Sequence, residues 1–127
     1  NDNGDPDASK LTGAQWARIA EASQALEAAA GQLSRAPAIV VAARGVKIQD
    51  EGADGASTAA QVQGFIGKDP EAFKAFARAL EANAAQFVAA AKAKDAVKLS
   101  AASDGLDGVC EACHLQFWYP QQAAAGP

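Results

Sequence analysis

The sequence predicts an all-α fold, a four-helix bundle with antiparallel rods. Three observations carry that prediction. Apolar residues recur at steps of three and four in three separate stretches, as one face of a helix requires. Helix start signals, two Thr-x-x-Gln pairs and an Asp-Pro, stand where helices begin. Prolines and glycine-rich segments then punctuate the chain between them. At 127 residues the chain has the size of a single domain.

Residues 1–10 are acidic and polar, interrupted by Gly4 and Pro6, and read as a disordered tail. The first helix opens with Thr12-x-x-Gln15, a capping box, with Leu11 and Trp16 at the staple positions around it. Its seam runs Trp16, Ile19, Ser23, Leu26, Ala30, Leu33 until Ala36-Pro37 stops it. Residues 12–33 would form a rod of about 33 Å at 1.5 Å per residue. Residues 38–55 begin with the apolar run Ala38 to Ala43, which pattern alone leaves open between strand and buried helix. The glycines and acids that follow, Gly45, Asp50, Glu51, Gly52, Asp54 and Gly55, favour an irregular crossover lying over the core.

A short second helix starts at Thr58-x-x-Gln61 and shows Val62, Phe65 and Ile66 before Gly67. Asp69-Pro70 opens the third helix, a carboxylate cap followed by proline at the first position. Its seam is Phe73, Phe76, Leu80, Ala84, Phe87, Ala91, and Lys92 and Lys94 suit its carbonyl end. Asp95 caps a fourth helix with the seam Leu99, Ser103, Leu106, Cys110, Cys113, Phe117, ended by Pro120. Gly105 and Gly108 weaken it by about 1 kcal/mol each relative to alanine. Such small residues let a porphyrin or a neighbouring backbone approach closely, or else mark a local kink. The domain spans 11–119, and 120–127 form a flexible tail.

The chemistry lies on that last helix, in Cys110-Glu111-Ala112-Cys113-His114. Cys-x-x-Cys-His is the attachment pattern of c-type haem: two thiols form thioethers with the porphyrin and the histidine ligates iron. From Cys110, Cys113 and His114 lie at about −60° and +40° around the helix axis, so one face holds all three. A structural zinc site asks for four ligands, and the chain has two Cys and one His. A thioredoxin-like pair would sit beside a βαβ pattern, and none is present. The seam independently places both cysteines on the bundle-facing stripe.

Composition agrees. Half the residues are hydrophobic but many are alanine, and aromatics are 6%, so a bound porphyrin would supply apolar volume that the core lacks. A net charge of −4 argues against nucleic acid and suits partners with positive patches. No apolar run reaches the length of a membrane span. No paired carboxylates, triad or phosphate loop indicates an enzyme.

With its motif near the C-terminus of a helical chain, the protein resembles the class II cytochromes c, which include cytochrome c′. The resemblance rests on Cys110 to His114 and more weakly on the helix-one pattern from Trp16 to Leu33, and covers about residues 11–119. It implies an up-down-up-down bundle and one covalent haem c. Cys110 and Cys113 would carry the thioethers and His114 would be the proximal iron ligand. Low-spin members supply a methionine from the first helix, but this chain has no Met. The resemblance therefore implies an iron that is five-coordinate or water-bound, with a lysine or Tyr119 as the unusual alternative. Trp16, Ile19 and Ala20 are the candidate distal wall, or else ordinary core. Arg18, Arg44 and Arg78 are candidate propionate partners, or else solvated charges. Phe117, Trp118 and Tyr119 either shield a haem edge or close the bundle end.

The first part of the chain, Asn1 to Asp7, lacks the basic and apolar regions of a signal peptide. Because bacterial c-type haem is attached after export, the resemblance implies a mature periplasmic chain, its tail frayed or serving as a tether. Electron transfer with redox partner proteins is the expected function. Binding of diatomic gases such as NO or CO at an open iron is the alternative. Family members often pair through their first two helices, so the resemblance leaves a homodimer open, and nothing in the sequence fixes the oligomeric state.

Overall fold

The computed structural model describes residues 7–121. Among them the chain forms four α-helices and no strand: α1 (Gly13–Arg35), α2 (Ala59–Lys68), α3 (Pro70–Ala93) and α4 (Ala96–Phe117). Each begins as the sequence indicates. Thr12 and Thr58 form complete capping boxes with Gln15 and Gln61, while Asp69 and Asp95 accept from the amides of Ala72 and Lys98. Lys94, in the left-handed region at φ 53°, turns the chain from α3 into α4.

Residues 8–10 depart from the expected tail. They form a 3-10 turn capped by Asp7 and lie against α4. Residues 1–6 and 122–127, which the two expected tails also include, lie outside the described residues. Gln121, within the expected C-terminal tail, donates its amide to the carbonyl of Gly55 at 2.7 Å. The crossover at 36–58 is irregular as expected, with positive φ at Gly45, Asp50, Gly52 and Gly55. Its apolar run is only partly covered, with Ile39, Val41 and Ala42 half-buried and Val40 74% exposed.

α3 is the central element, packed against α1 on one side and α4 on another. α1 and α3 run antiparallel. The Cβ position of Gly13 lies 4.0 Å from the Lys94 ammonium, and at the other end Arg35 meets Glu81 at 3.5 Å. α3 and α4 are also antiparallel, with Asn83 on Ala102 and Phe73 on Phe117. Consequently α1 and α4 run parallel, and they make no close backbone contact. Strict alternation of four rods would set them antiparallel. Here α2 is a ten-residue element touching α3 and α4, and α1, α3 and α4 carry the alternation.

The core is thin and made largely of alanine: Ala30, Ala77, Ala84, Ala90, Ala91 and Ala102 are buried, with Trp16, Ile66 and Phe117. Two buried serines satisfy themselves within α1, Ser23 donating to Ile19 and Ser34 to Gly31. In α4 the expected seam departs at one position, for Ser103 is exposed and Ala102 fills the core, while Leu99, Leu106, Cys110, Cys113 and Phe117 are covered or half-covered as expected. The larger apolar side chains Leu33, Phe73, Phe76 and Leu80 are incompletely covered. A fold this poor in buried area gains from any apolar group that completes its surface.

Candidate functional site

Those incompletely covered side chains gather at one place. A cleft of about 110 Å³ is lined by Leu33 of α1, by Phe73, Phe76, Ala77 and Leu80 of α3, and by Val109, Cys110, Cys113 and His114 of α4. α1 and α4 stand apart there, and α3 forms the floor. The helical spacing therefore delivers both thiols and the imidazole to one apolar cleft. Phe117 anchors the end of the floor, buried and edge-on to Phe73 at 5.4 Å and Phe76 at 6.0 Å.

Both cysteines are free and half-buried. Burial pushes the Cys113 thiol above its ordinary value, and the neighbouring Cys110 adds to the shift. A raised thiol is a weak nucleophile at neutral pH, opposite to what a redox-active Cys-x-x-Cys pair needs. Among the described residues no group of three or more His, Cys, Asp or Glu converges as a metal site.

His114 is held by the segment that follows it. Its carbonyl accepts from the amides of both Trp118 and Tyr119 at 2.9 Å. That places the Trp118 ring edge-on at 5.1 Å and 89°, and the Tyr119 ring at 5.7 Å and 62°. Tyr119 donates its hydroxyl to Glu111, inside the motif, at 2.7 Å. So Phe117 closes the bundle end, whereas Trp118 and Tyr119 flank the histidine. The indole Nε1 of Trp118 is buried and has no hydrogen-bond partner.

These observations test whether the residues fit a covalent haem. Two thiols and an imidazole share one face, the facing walls are apolar, and a buried donor beside His114 lacks the acceptor that a carboxylate-bearing group would bring. The residues fit.

The expected distal wall is not brought to this cleft. Trp16, Ile19 and Ala20 occupy the first turns of α1, at the far end of the bundle. Because α1 runs parallel to α4, it is the C-terminal part of α1 that meets the motif. Ile19 lies about 21 Å along the helix from Leu33 at 1.5 Å per residue. Trp16 is buried there as core. None of Arg18, Arg44 and Arg78 lines the cleft, and Arg44 belongs to a separate depression in the 36–58 crossover. Tyr119 lies against His114 on the motif's own side, and no lysine lines the cleft.

Sequence reasoning missed Leu33 and Phe73 as site residues, and also Asn83, which is buried at the α3–α4 interface and donates to Ala102. Asn83 stands one heptad after Phe76, a polar residue on a seam, which was the signal available.

A family model described as "Cytochrome C'" matches residues 22–118. Comparison with curated proteins and with solved structures returned no match. The matched span runs from within α1 to Trp118 and contains the entire motif.

Proposed function

The chain belongs to the cytochrome c′ family of class II cytochromes c, and from that membership we propose that it is a periplasmic electron carrier with an iron ligated by His114. Membership implies covalent haem c, for which Cys110 and Cys113 are the chain's two cysteines. Haem c supplies a one-electron couple tuned by axial ligation, nearby hydrogen bonds and solvent exposure. The observation that carries the reading is the cleft itself. Cys110, Cys113 and His114 open on about 110 Å³, against the few hundred that usually enclose a ligand. Side chains that enclose so little would cover one part of a porphyrin and leave the rest toward solvent, within reach of a redox partner. With a net charge of −4, the favoured partner presents a basic patch. The role is that of a carrier, not an enzyme.

A second reading has its own observation. Besides Cys110, Cys113 and His114, the cleft is lined by Leu33, Phe73, Phe76, Ala77, Leu80 and Val109, none of them a strong iron donor. With haem c attached, a wall of this lining would offer the iron no protein donor and would leave it to small neutral molecules such as CO and NO. Optical spectra of the oxidised and reduced protein, a redox titration and exposure to CO separate the two. A reversible one-electron titration with slow or no CO uptake supports the carrier. Rapid, tight CO binding to a high-spin reduced form supports the gas reading. Natively matured protein without thioether-linked haem overturns both.

A further inference from the structure

We propose that Trp118, Tyr119 and Glu111 form a brace that sets the rotation of the His114 imidazole, so that the segment after the motif acts as a positioning device for the iron ligand. The inference rests on the reading of His114 as ligand and goes beyond it. A ligating histidine usually donates its second ring N–H to a carboxylate or carbonyl, which fixes ring orientation and raises basicity. Among the described residues neither ring nitrogen of His114 has such a partner. What it has instead is a pair of aromatic rings packed against it. Trp118 is perpendicular at 5.1 Å and Tyr119 is inclined by 62° at 5.7 Å. The two rings also lie against each other at 6.0 Å.

The brace is closed at both ends. The His114 carbonyl takes the amides of Trp118 and Tyr119, each at 2.9 Å, so the backbone holds both rings at a set distance from the imidazole. Tyr119 is then tied back to the motif by its 2.7 Å bond to Glu111. α4 has already ended at Phe117, with Trp118 as its C-cap, so both rings stand on the segment just past the helix. Edge-to-face ring packing attracts beyond the area it buries. It therefore favours one ring rotation without adding negative charge to the ligand.

The test reads the ligand's orientation and not the stability of the fold. Proton NMR of the oxidised, haem-loaded protein resolves the paramagnetically shifted His114 ring resonances. One set is expected for the unaltered protein, and two or more sets for Tyr119→Phe, which keeps the ring and removes the tie, and for Trp118→Leu. Glu111→Gln retains an acceptor for the phenol and is expected to restore the single set. Leu99→Ala, at the other end of α4, lowers stability and leaves the resonances in place. Unchanged resonances in Tyr119→Phe and Trp118→Leu overturn the brace. Mass spectrometry and the pyridine haemochrome of the same samples report haem attachment separately. Loss of covalent haem, or absence of any shifted His114 signal in the unaltered protein, refutes the underlying assignment instead.

Discussion

The side-chain amide of Asn83 donates to the main-chain carbonyl of Ala102 at 3.0 Å across the interface between α3 and α4. Both residues are buried. Ala102 and Cys113 share one rod and stand about 16 Å apart along it. The bond therefore sets how far the motif is slid along α3, and so which α3 side chains face the thiols. Gly105 lies under the same amide: a Cβ added there would sit 3.0 Å from Asn83 Nδ2. What approaches this glycine is the Asn83 side chain, neither a porphyrin nor a neighbouring backbone.

Gly105→Ala then has two opposing effects. Helix propensity gains about 1 kcal/mol, while displacing the Asn83 amide loses a bond contributing about 1 kcal/mol. The single substitution is expected to leave stability nearly unchanged. In an Asn83→Ala background the opposing term is gone, and the same change should stabilise by about 1 kcal/mol. Urea denaturation of all four proteins measures the coupling. Strict additivity would show that the amide does not feel the glycine.

Gln63 ties the crossover to α2. Its amide donates to the Ile39 carbonyl at 2.8 Å and accepts from the Val41 amide at 2.9 Å. Gln63→Leu removes both bonds at about 0.5–1.5 kcal/mol each. Hydrogen exchange at Val41 should accelerate by about tenfold or more, with only a small change in the global midpoint. Equal exchange in both proteins would mean that the crossover is held by something else.

Cys113 gives a pH dependence with a definite sign. Burial favours the neutral thiol in the folded chain and raises its pKa above the ordinary 9.0. Above that pH the unfolded chain ionises first, so this contribution is fully present below the ordinary value and is lost as pH rises from there through the raised folded value. In haem-free protein, alkylation at pH 8 should modify Cys110 before Cys113. The urea midpoint should fall between pH 8 and 10 more steeply than that of Cys113→Ser. Equal alkylation rates would show that the folded environment leaves the thiol unshifted.

What was legible in the sequence is local. The capping boxes at Thr12 and Thr58, the Asp69-Pro70 start and the Asp95 cap are contacts within one turn, and all four helices start there. Cys110, Cys113 and His114 share a face because helix geometry alone requires it. The direction of α1 relative to α4 is different in kind. A seam of period 3.5 states which face of a rod is apolar, not which neighbour covers it, and a crossover from 36 to 58 is long enough to deliver α2 to either end. Trp16, Ile19 and Ala20 follow from the resemblance, which implies a distal wall on the first helix, whereas the parallel pairing of α1 with α4 puts Leu33 there. The contacts of Asn83 with Ala102 and of Gln63 with Ile39 span 19 and 24 residues, beyond the reach of any local pattern.

The direction of α1 is itself testable at the haem. Leu33 lines the cleft and is 41% exposed, so Leu33→Ala should cost well under the 2–5 kcal/mol of a buried leucine truncation. Ile19→Ala should cost a similar amount, since Ile19 is also only half-buried. Their effects on ligand entry should differ. Shortening Leu33 opens the wall beside the motif, and CO association with the reduced protein should become several-fold faster. Leu33→Phe should slow it. Ile19→Ala, about 21 Å away along α1, should leave the rate where it was. Flash photolysis measures all three variants against the unaltered protein. The reverse pattern, a rate that answers to Ile19 and ignores Leu33, would mean that the N-terminal half of α1 covers the iron and that α1 and α4 run antiparallel.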